Sequence, residues 1–333
     1  MLILAALSSL AYAQEAVSVE VIKAGQVGTS LPGLVLTMNQ DASSLTVRVA
    51  CGGAQAGRDG PARKGDRVEL RIDAPVGTHS CKGTLAGVFS DGTEGEMPLG
   101  FTVTMHRPMV MSLHPGSLDL SGTTLAVVAD RPTSKVEVTA LGPKGVKVGY
   151  GLAPAGGPAG TPVVASWKQD GGEVIKLAVR AFDTDGFWSE LELVPWSYNI
   201  PHEDVVFATN SADIVPAEEP KLAQALTDAR GVLDKYGTDV VIKLYVGGHT
   251  DTVGDAATNQ KLSNARARSI AAWFKKAGFP GQIYYQGYGE GGLAVDTADE
   301  IDEPRNRRAS YTLAARPPEA TGGSGDHGWV ELK

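Results

Sequence analysis

The sequence holds 333 residues with a formal net charge of −8; 42% are hydrophobic, 20% charged and 6% aromatic. At about 100–150 residues per domain, two or three domains are expected, and the apolar and charged shares exclude a disordered chain or a coiled coil. The acidic balance excludes a general nucleic-acid binder, which would carry a basic surface, and no apolar run reaches the roughly 20 residues of a membrane-spanning helix.

Met1–Leu10 (MLILAALSSL) is apolar and uncharged, and Ala11-Tyr12-Ala13 gives an A-x-A cleavage site. Residues 1–13 therefore read as a secretory signal peptide, although no Lys or Arg precedes the apolar run. The other reading is a short buried element. Export gives Cys51 and Cys81, the two cysteines, an oxidising compartment in which a disulfide is the default over two free thiols. They lack the further spaced ligands of a metal site.

Residues 14–106 alternate apolar and polar positions in short runs: Val17–Ile22, Leu45–Ala50 and Arg67–Ile72. Turn-type segments separate them at Gly52–Gly60, Pro75–Gly77 and Asp91-Gly92. Period-two runs at this spacing predict an antiparallel β-sandwich. A second β region, 107–200, has strands expected at Thr124–Val128, Lys135–Ala140, Glu173–Phe182 and Phe187–Val194. Its hairpin VRAFDTDGFWSELEL resembles the last hairpin of immunoglobulin-like and fibronectin type III modules. Trp188, Trp196 and Tyr198 are expected to seal this region against the next.

The character changes at Pro201. Asp204–Phe207 reads as a strand. Pro216–Tyr236 reads as a helix, with Leu222, Leu226, Ala229 and Leu233 on one face and Gly237 as its stop. Val240–Val246 is the next strand and Asp255–Ala277 a second amphipathic helix. Ile283–Gly287 and Ala309–Ala314 close a βαβαββ order, expected as an α+β domain over 201–316 with a mixed sheet and helices on one side. Residues 317–333 are Gly-rich and read as a flexible tail. By charge, segment 201–333 alone carries −5 of the total of −8.

The informative constellation is Gly248-His249-Thr250-Asp251, then Gly254, then Asn259–Ala267 (NQKLSNARA), with Gly287-Tyr288-Gly289-Glu290 and Asn306-Arg307-Arg308 further on. Asp251 falls just past a strand, where a loop enters a helix, and Arg266 lies about three turns into that helix. A carboxylate and a guanidinium converging there would suit a zwitterion, one pairing with an ammonium and the other with a carboxylate in forked geometry.

At these residues the sequence resembles the OmpA-like peptidoglycan-binding domain of OmpA C-terminal regions, the Pal lipoprotein and MotB. The resemblance runs from about Pro201 to Arg316, with Phe207, Asn210-Ser211 and Ile214 matching the family's first strand and loop. It implies peptidoglycan as ligand, held by the meso-diaminopimelate end of its stem peptide. By motif position, Asp251 and Arg266 take that ligand. Asn259 and Thr252 are auxiliary or shape loops, and Asn210, Arg307 and Arg308 are further pocket contributors. It implies no catalysis, cofactor or metal, and it implies a place in the periplasm of a Gram-negative bacterium, on peptidoglycan and possibly at the outer membrane. The two β regions would then present a surface to other envelope proteins. This sequence departs from the family at Gly291-Gly292-Leu293, where a proline is usual, and in the acidic Asp296–Glu303 (DTADEIDE).

Other readings remain beside this one. Asp251 could cap the helix. Arg307 and Arg308 are expected on opposite faces of a strand, so that one alone faces the pocket. His249, Asp251 and Ser263 could suggest a hydrolase, but no oxyanion hole or nucleophile elbow accompanies them. A flagellar stator would need a membrane helix bearing an ionisable residue. Residues 14–200 could instead form an outer-membrane β-barrel, as in OmpA. Nine aromatics in that span are few for two aromatic girdles, and Lys and Arg recur within the strands.

Overall fold

The computed structural model describes residues 13–208, 210–318 and 328–333. The expected signal segment lies outside these residues except for Ala13, which is buried against the first core. No helix among the described residues is long and apolar enough to cross a membrane.

The first β region has eight strands: β1 (Val17–Ile22), β2 (Ala24–Gln26), β3 (Gly33–Met38), β4 (Ala42–Cys51), β5 (Ala54–Ala62), β6 (Arg67–Arg71), β7 (Gly77–Phe89) and β8 (Glu94–His106). They form sheets ordered β1-β3-β6 and β2-β8-β7-β4-β5. Alternate residues of both sheets, such as Leu34, Leu36, Leu45, Val47 and Leu85, enter one buried cluster, as period-two patterning requires. Cys51 and Cys81 are direct cross-strand partners of β4 and β7 and are joined as a disulfide. Residues 52–60, expected as a turn, are a correction. Only Gly52 and Gly53 turn, both at positive φ, and β5 follows. As an edge strand with one neighbour, β5 exposes every second side chain, so its Gly- and Ala-rich composition carries no apolar period.

The second β region adds β9 (Met111–Leu113), β10 (Thr124–Ala129), β11 (Thr133–Leu141), β12 (Lys147–Pro154), β13 (Val163–Ser166), β14 (Lys168–Gln169), β15 (Lys176–Asp183) and β16 (Trp188–Leu193). Its sheets, β13-β10-β9 and β14-β12-β11-β15-β16, again share one core. All four sheets are open in order, and their buried faces are apolar apart from polar residues such as Asp183 at a strand end. A membrane barrel would be closed, with an apolar exterior.

The third region builds a mixed sheet in the order β17-β20-β18-β19-β21. Its elements are β17 (Ser197–Asn199), α1 (Glu219–Tyr236), β18 (Lys243–Gly248), α2 (Ala256–Lys276), β19 (Ile283–Gly287), β20 (Ala309–Ala314) and β21 (Val330–Glu331). β18 and β19 are parallel, and β20 runs antiparallel to β18. The expected strand at 204–207 does not form, because side chains take its backbone groups. Val206 N donates to Glu218 (2.9 Å), and Lys221 Nζ donates to the Asp204 carbonyl (3.0 Å). β17 pairs with β20 instead. The tail is a second correction. Trp329 packs edge-on against Tyr245 at 5.1 Å and Tyr288 at 6.1 Å, and β21 pairs with the otherwise open edge of β19. An aromatic anchor and a free ladder edge supply what the Gly-rich composition does not signal.

Polar clamps join the regions. Arg131 donates to Asp183 (2.5 Å), to Gln26 Oε1 (2.5 Å) and to the Arg107 carbonyl (2.9 Å). Glu173 accepts from Trp196 Nε1 (2.9 Å) and Tyr236 Oη (2.5 Å). Ile175 and Trp196, which precede the third region, are buried in its core. Of the three aromatics expected to seal this junction, Trp196 does so. Trp188 and Tyr198 remain partly exposed, at 49% and 36%.

Candidate functional site

Two glycines of the informative motifs set the site by close approach. A Cβ on Gly248 would meet the Ser263 carbonyl at 2.4 Å, and one on Gly287 would meet Asn264 N at 2.2 Å. Without side chains there, α2 lies tight on the ends of β18 and β19, placing its first turns beside the loop that carries Asp251. That loop is stitched to its neighbours by backbone bonds from His249 N to Arg308 O (2.9 Å) and from Thr250 N to Gly289 O (2.8 Å).

Asp251 does not cap α2. Asp255 does, its carboxylate accepting from Thr258 N at 2.8 Å. Asp251 is thus released from the helix end, yet it is only 7% exposed. Its carboxylate pairs with Arg307, which also pairs with Asp302 of the acidic loop. Arg266 extends from α2 toward the same place. Its Nε donates to the Ser211 carbonyl (3.0 Å), and its guanidinium lies 5.1 Å from the Phe207 ring centroid, a cation–π distance. Burial lowers the Arg266 pKa, and the nearby Arg307 cation lowers it further, while Asp251 opposes both. The Asp302 hydrogen bond and then that of Asp251 raise the Arg307 pKa.

Arg266 and Arg307 line a cavity of about 210 Å³ together with Asp204, Phe207, His249 and Arg308; Asp251 adjoins it through its pairing with Arg307 and is not itself part of the lining. Both Arg307 and Arg308 face the cavity, a correction to the expected alternation. They lie not within a strand but between the short 3₁₀ turn Pro304–Asn306 and β20, where period two does not apply. Arg308 donates to the Gly292 carbonyl at 2.7 Å, and burial lowers its pKa. One buried carboxylate and three guanidiniums are so gathered at the ends of β18 and β20. Such a site can bind a ligand bearing both charges, with Asp302 and the cavity-lining Asp204 offsetting part of the positive field.

The remaining sequence candidates line no part of this cavity. Thr252 Oγ1 donates to the Ala298 carbonyl (2.7 Å) and accepts from Ile301 N (3.1 Å), which pins the acidic loop. Asn259 Nδ2 donates to the Val253 carbonyl (2.9 Å) and to Glu290 (2.8 Å). Asn210 sits at φ +54 in the turn beside Ser211 and is exposed. Three contributors were not singled out as site residues from the sequence: Asp302, Phe207 beneath Arg266, and Glu290 on Asn259. Asp302 falls in the acidic stretch 296–303 and Glu290 in the Gly287–Glu290 motif, but no spacing rule ties either to its partner.

His249, Asp251 and Ser263 do not form a relay. His249 stacks on Tyr288 with centroids 4.8 Å apart, and its Nδ1 lies 3.2 Å from the Gly291 carbonyl. Ser263 Oγ is spent on Gly289 N (2.8 Å) and the Gln260 carbonyl (3.0 Å). Burial, and after it the Arg308 cation, lowers the His249 pKa to about 4. The folded state therefore resists a proton that the unfolded chain accepts near its ordinary value. The resulting stability is full above about pH 6.5 and fades as pH falls toward 4, by roughly 3 kcal/mol. Urea unfolding at pH 7 and pH 4.5 should show this loss in the wild type and a clearly shallower one in His249→Gln.

Residues 206–307 match the OmpA family. This stretch is an OmpA-like domain. Among curated relatives of the OmpA-like domain, the outer-membrane lipoprotein YfiB of Pseudomonas aeruginosa is 36% identical over 93 residues, 26% of this chain and 55% of its own length. Outer membrane protein A of Serratia odorifera is 36% identical over 95 residues, 28% of this chain and 37% of its own. The chain thus spans about half or less of the length of these relatives. A solved structure, the cell wall anchor of the T6SS from Pseudomonas aeruginosa, aligns at 21% identity with a TM-score of 0.27, covering 44% of this chain and 86% of its own.

Proposed function

We propose that the OmpA-like domain binds peptidoglycan non-covalently and without catalysis, in the periplasm, through the diaminopimelate end of the stem peptide. Asp251 takes the ligand ammonium and Arg266 its carboxylate. Residues 14–106 and 107–200 act as two immunoglobulin-like β-sandwich modules that present a surface to other envelope proteins. The observation that carries this is the ion pair of Asp251 with Arg307 beside Arg266, the two arginines lining one cavity. A zwitterionic side-chain end can satisfy both signs of charge there. The match to the OmpA family, and the envelope names of the relatives, support the same ligand class.

The test compares sacculi whose stem peptides carry diaminopimelate with sacculi carrying lysine at the same position. Lysine retains the ammonium and lacks the carboxylate, so Arg266 would stay unpaired. Co-sedimentation is expected to show at least about tenfold weaker binding to the lysine type, the order of one lost charge-assisted hydrogen bond. Equal binding to both would remove diaminopimelate as the recognised group.

A further inference from the structure

Across α2 from the cavity, Arg268, Lys275, Lys276 and Lys333 line an open groove of about 550 Å³ with Leu332 and Ala212. All four cations are exposed. Among the described residues none is paired with a carboxylate, and Lys275 Nζ reaches only the Leu332 carbonyl, at 3.5 Å. Lys221, Arg305 and Arg307 of this region are paired with carboxylates, whereas Arg230, Arg266 and Arg308 are held by backbone carbonyls; the groove differs in gathering its exposed cations on one face. Arg268, Lys275 and Lys276, three such cations on one helix face in a segment carrying −5 overall, form a local positive field within a repulsive surrounding one.

We propose that this groove is a second contact surface for the same wall polymer, taking the carboxylates of a stem peptide next to the one held in the cavity. The inference rests on the peptidoglycan reading above. Continuity between the two surfaces supports it. Ala212 of the groove follows Ser211, whose carbonyl holds Arg266. Helix α2 turns Arg266 and Ile270 to the cavity and Arg268 and Ser269 to the groove. The two faces stand about one helix diameter apart, roughly 10 Å. Arg268 and Lys275 are separated by about 10 Å along the helix axis at 1.5 Å per residue, a spacing suited to an extended chain of separated charges rather than a single ion. Each exposed cation contributes little alone. Once the cavity holds one stem peptide, its neighbours are presented to the groove at high effective concentration.

The full chain with Arg268→Glu and Lys276→Glu together tests this by co-sedimentation with intact diaminopimelate-type sacculi. Binding is expected to weaken about tenfold at about 0.02 M salt, and the difference to vanish near 1 M, where screening acts within about 3 Å. The milder Arg268→Gln/Lys276→Gln pair is expected to show about a threefold loss at low salt, a smaller effect for half the charge change. Affinity for one soluble disaccharide stem-peptide unit, at physiological salt, is expected to stay within about twofold, because the nearest charges lie beyond the screening length of about 8 Å. Unchanged sacculus binding at low salt would overturn the proposal, as would an equal loss toward the single unit. A loss confined to phosphatidylglycerol vesicles would assign the groove to a membrane and overturn it too. Failure of the unaltered chain to bind sacculi at all would instead bring down the underlying reading, and this inference with it.

Discussion

Asp251→Ala and Arg266→Ala are each expected to weaken binding of a diaminopimelate-containing stem peptide by roughly 30- to 1,000-fold, or about 2–4 kcal/mol. Each removes one sign of charge and leaves the opposite charge of the ligand desolvated without a partner. The fold should survive both. In the Asp251 variant, Arg307 keeps Asp302. In the Arg266 variant, the Ser211 and Ala208 carbonyls it bonded lie on a partly exposed loop and can turn to water. Arg266→Lys separates charge from geometry, because it keeps the cation and loses the planar fork, and it should fall between wild type and alanine. Calorimetric titration with the soluble stem peptide measures the loss, and thermal melting verifies the fold. Wild-type affinity in both alanine variants would sink the assignment of the site.

The second large effect concerns stability at the other end of the chain. Replacing Cys51 and Cys81 with serine is expected to destabilise the first β region by about 3–4 kcal/mol, the chain-entropy value for a loop of this size. The sequence separation is 30 residues, and both side chains are almost fully buried, so two buried hydroxyls add to the loss. The chain folds around at least two further cores. Denaturant unfolding should therefore show an early transition that moves to lower denaturant in the double variant, while the transition of the OmpA-like domain stays in place. Stem-peptide affinity should be unchanged wherever that domain is folded. A single coincident transition that moves as a whole would mean that the first region is not an independent unit.

Much of the fold was legible where one periodicity ran long. Helix α2 combines an apolar stripe with a terminal Gly278, and its observed bounds agree with expectation to within a residue, although Asp255 rather than Asp251 caps it. β1, β19 and β20 were likewise readable from their alternation or apolar content. What escaped depends on tertiary contacts. Val206 carries strand propensity, but the Glu218 carboxylate claims its N–H before any ladder can. β5 shows no apolar period because an edge strand needs none. Trp329 looked like part of a loose tail, and only the aromatic face of Tyr245 and Tyr288 makes it an anchor. At the site, motif position led to Asp251 and Arg266. That both Arg307 and Arg308 face the cavity follows from a short turn that breaks strand alternation just ahead of β20. The tie from Arg307 to Asp302 joins two segments whose meeting no local spacing specifies.

The junction at Glu173 has a mechanical consequence. If one end of this chain is held on a wall and another part is pulled, no slack linker lies between the second β region and the OmpA-like domain. Ile175 and Trp196 are embedded in the latter's core, and Glu173 grips both Trp196 and Tyr236. Tension would load packed side chains and a doubly hydrogen-bonded carboxylate in shear rather than extend a coil. The connection would yield abruptly, as a brittle coupling does, and would transmit movement with little stretch until it did.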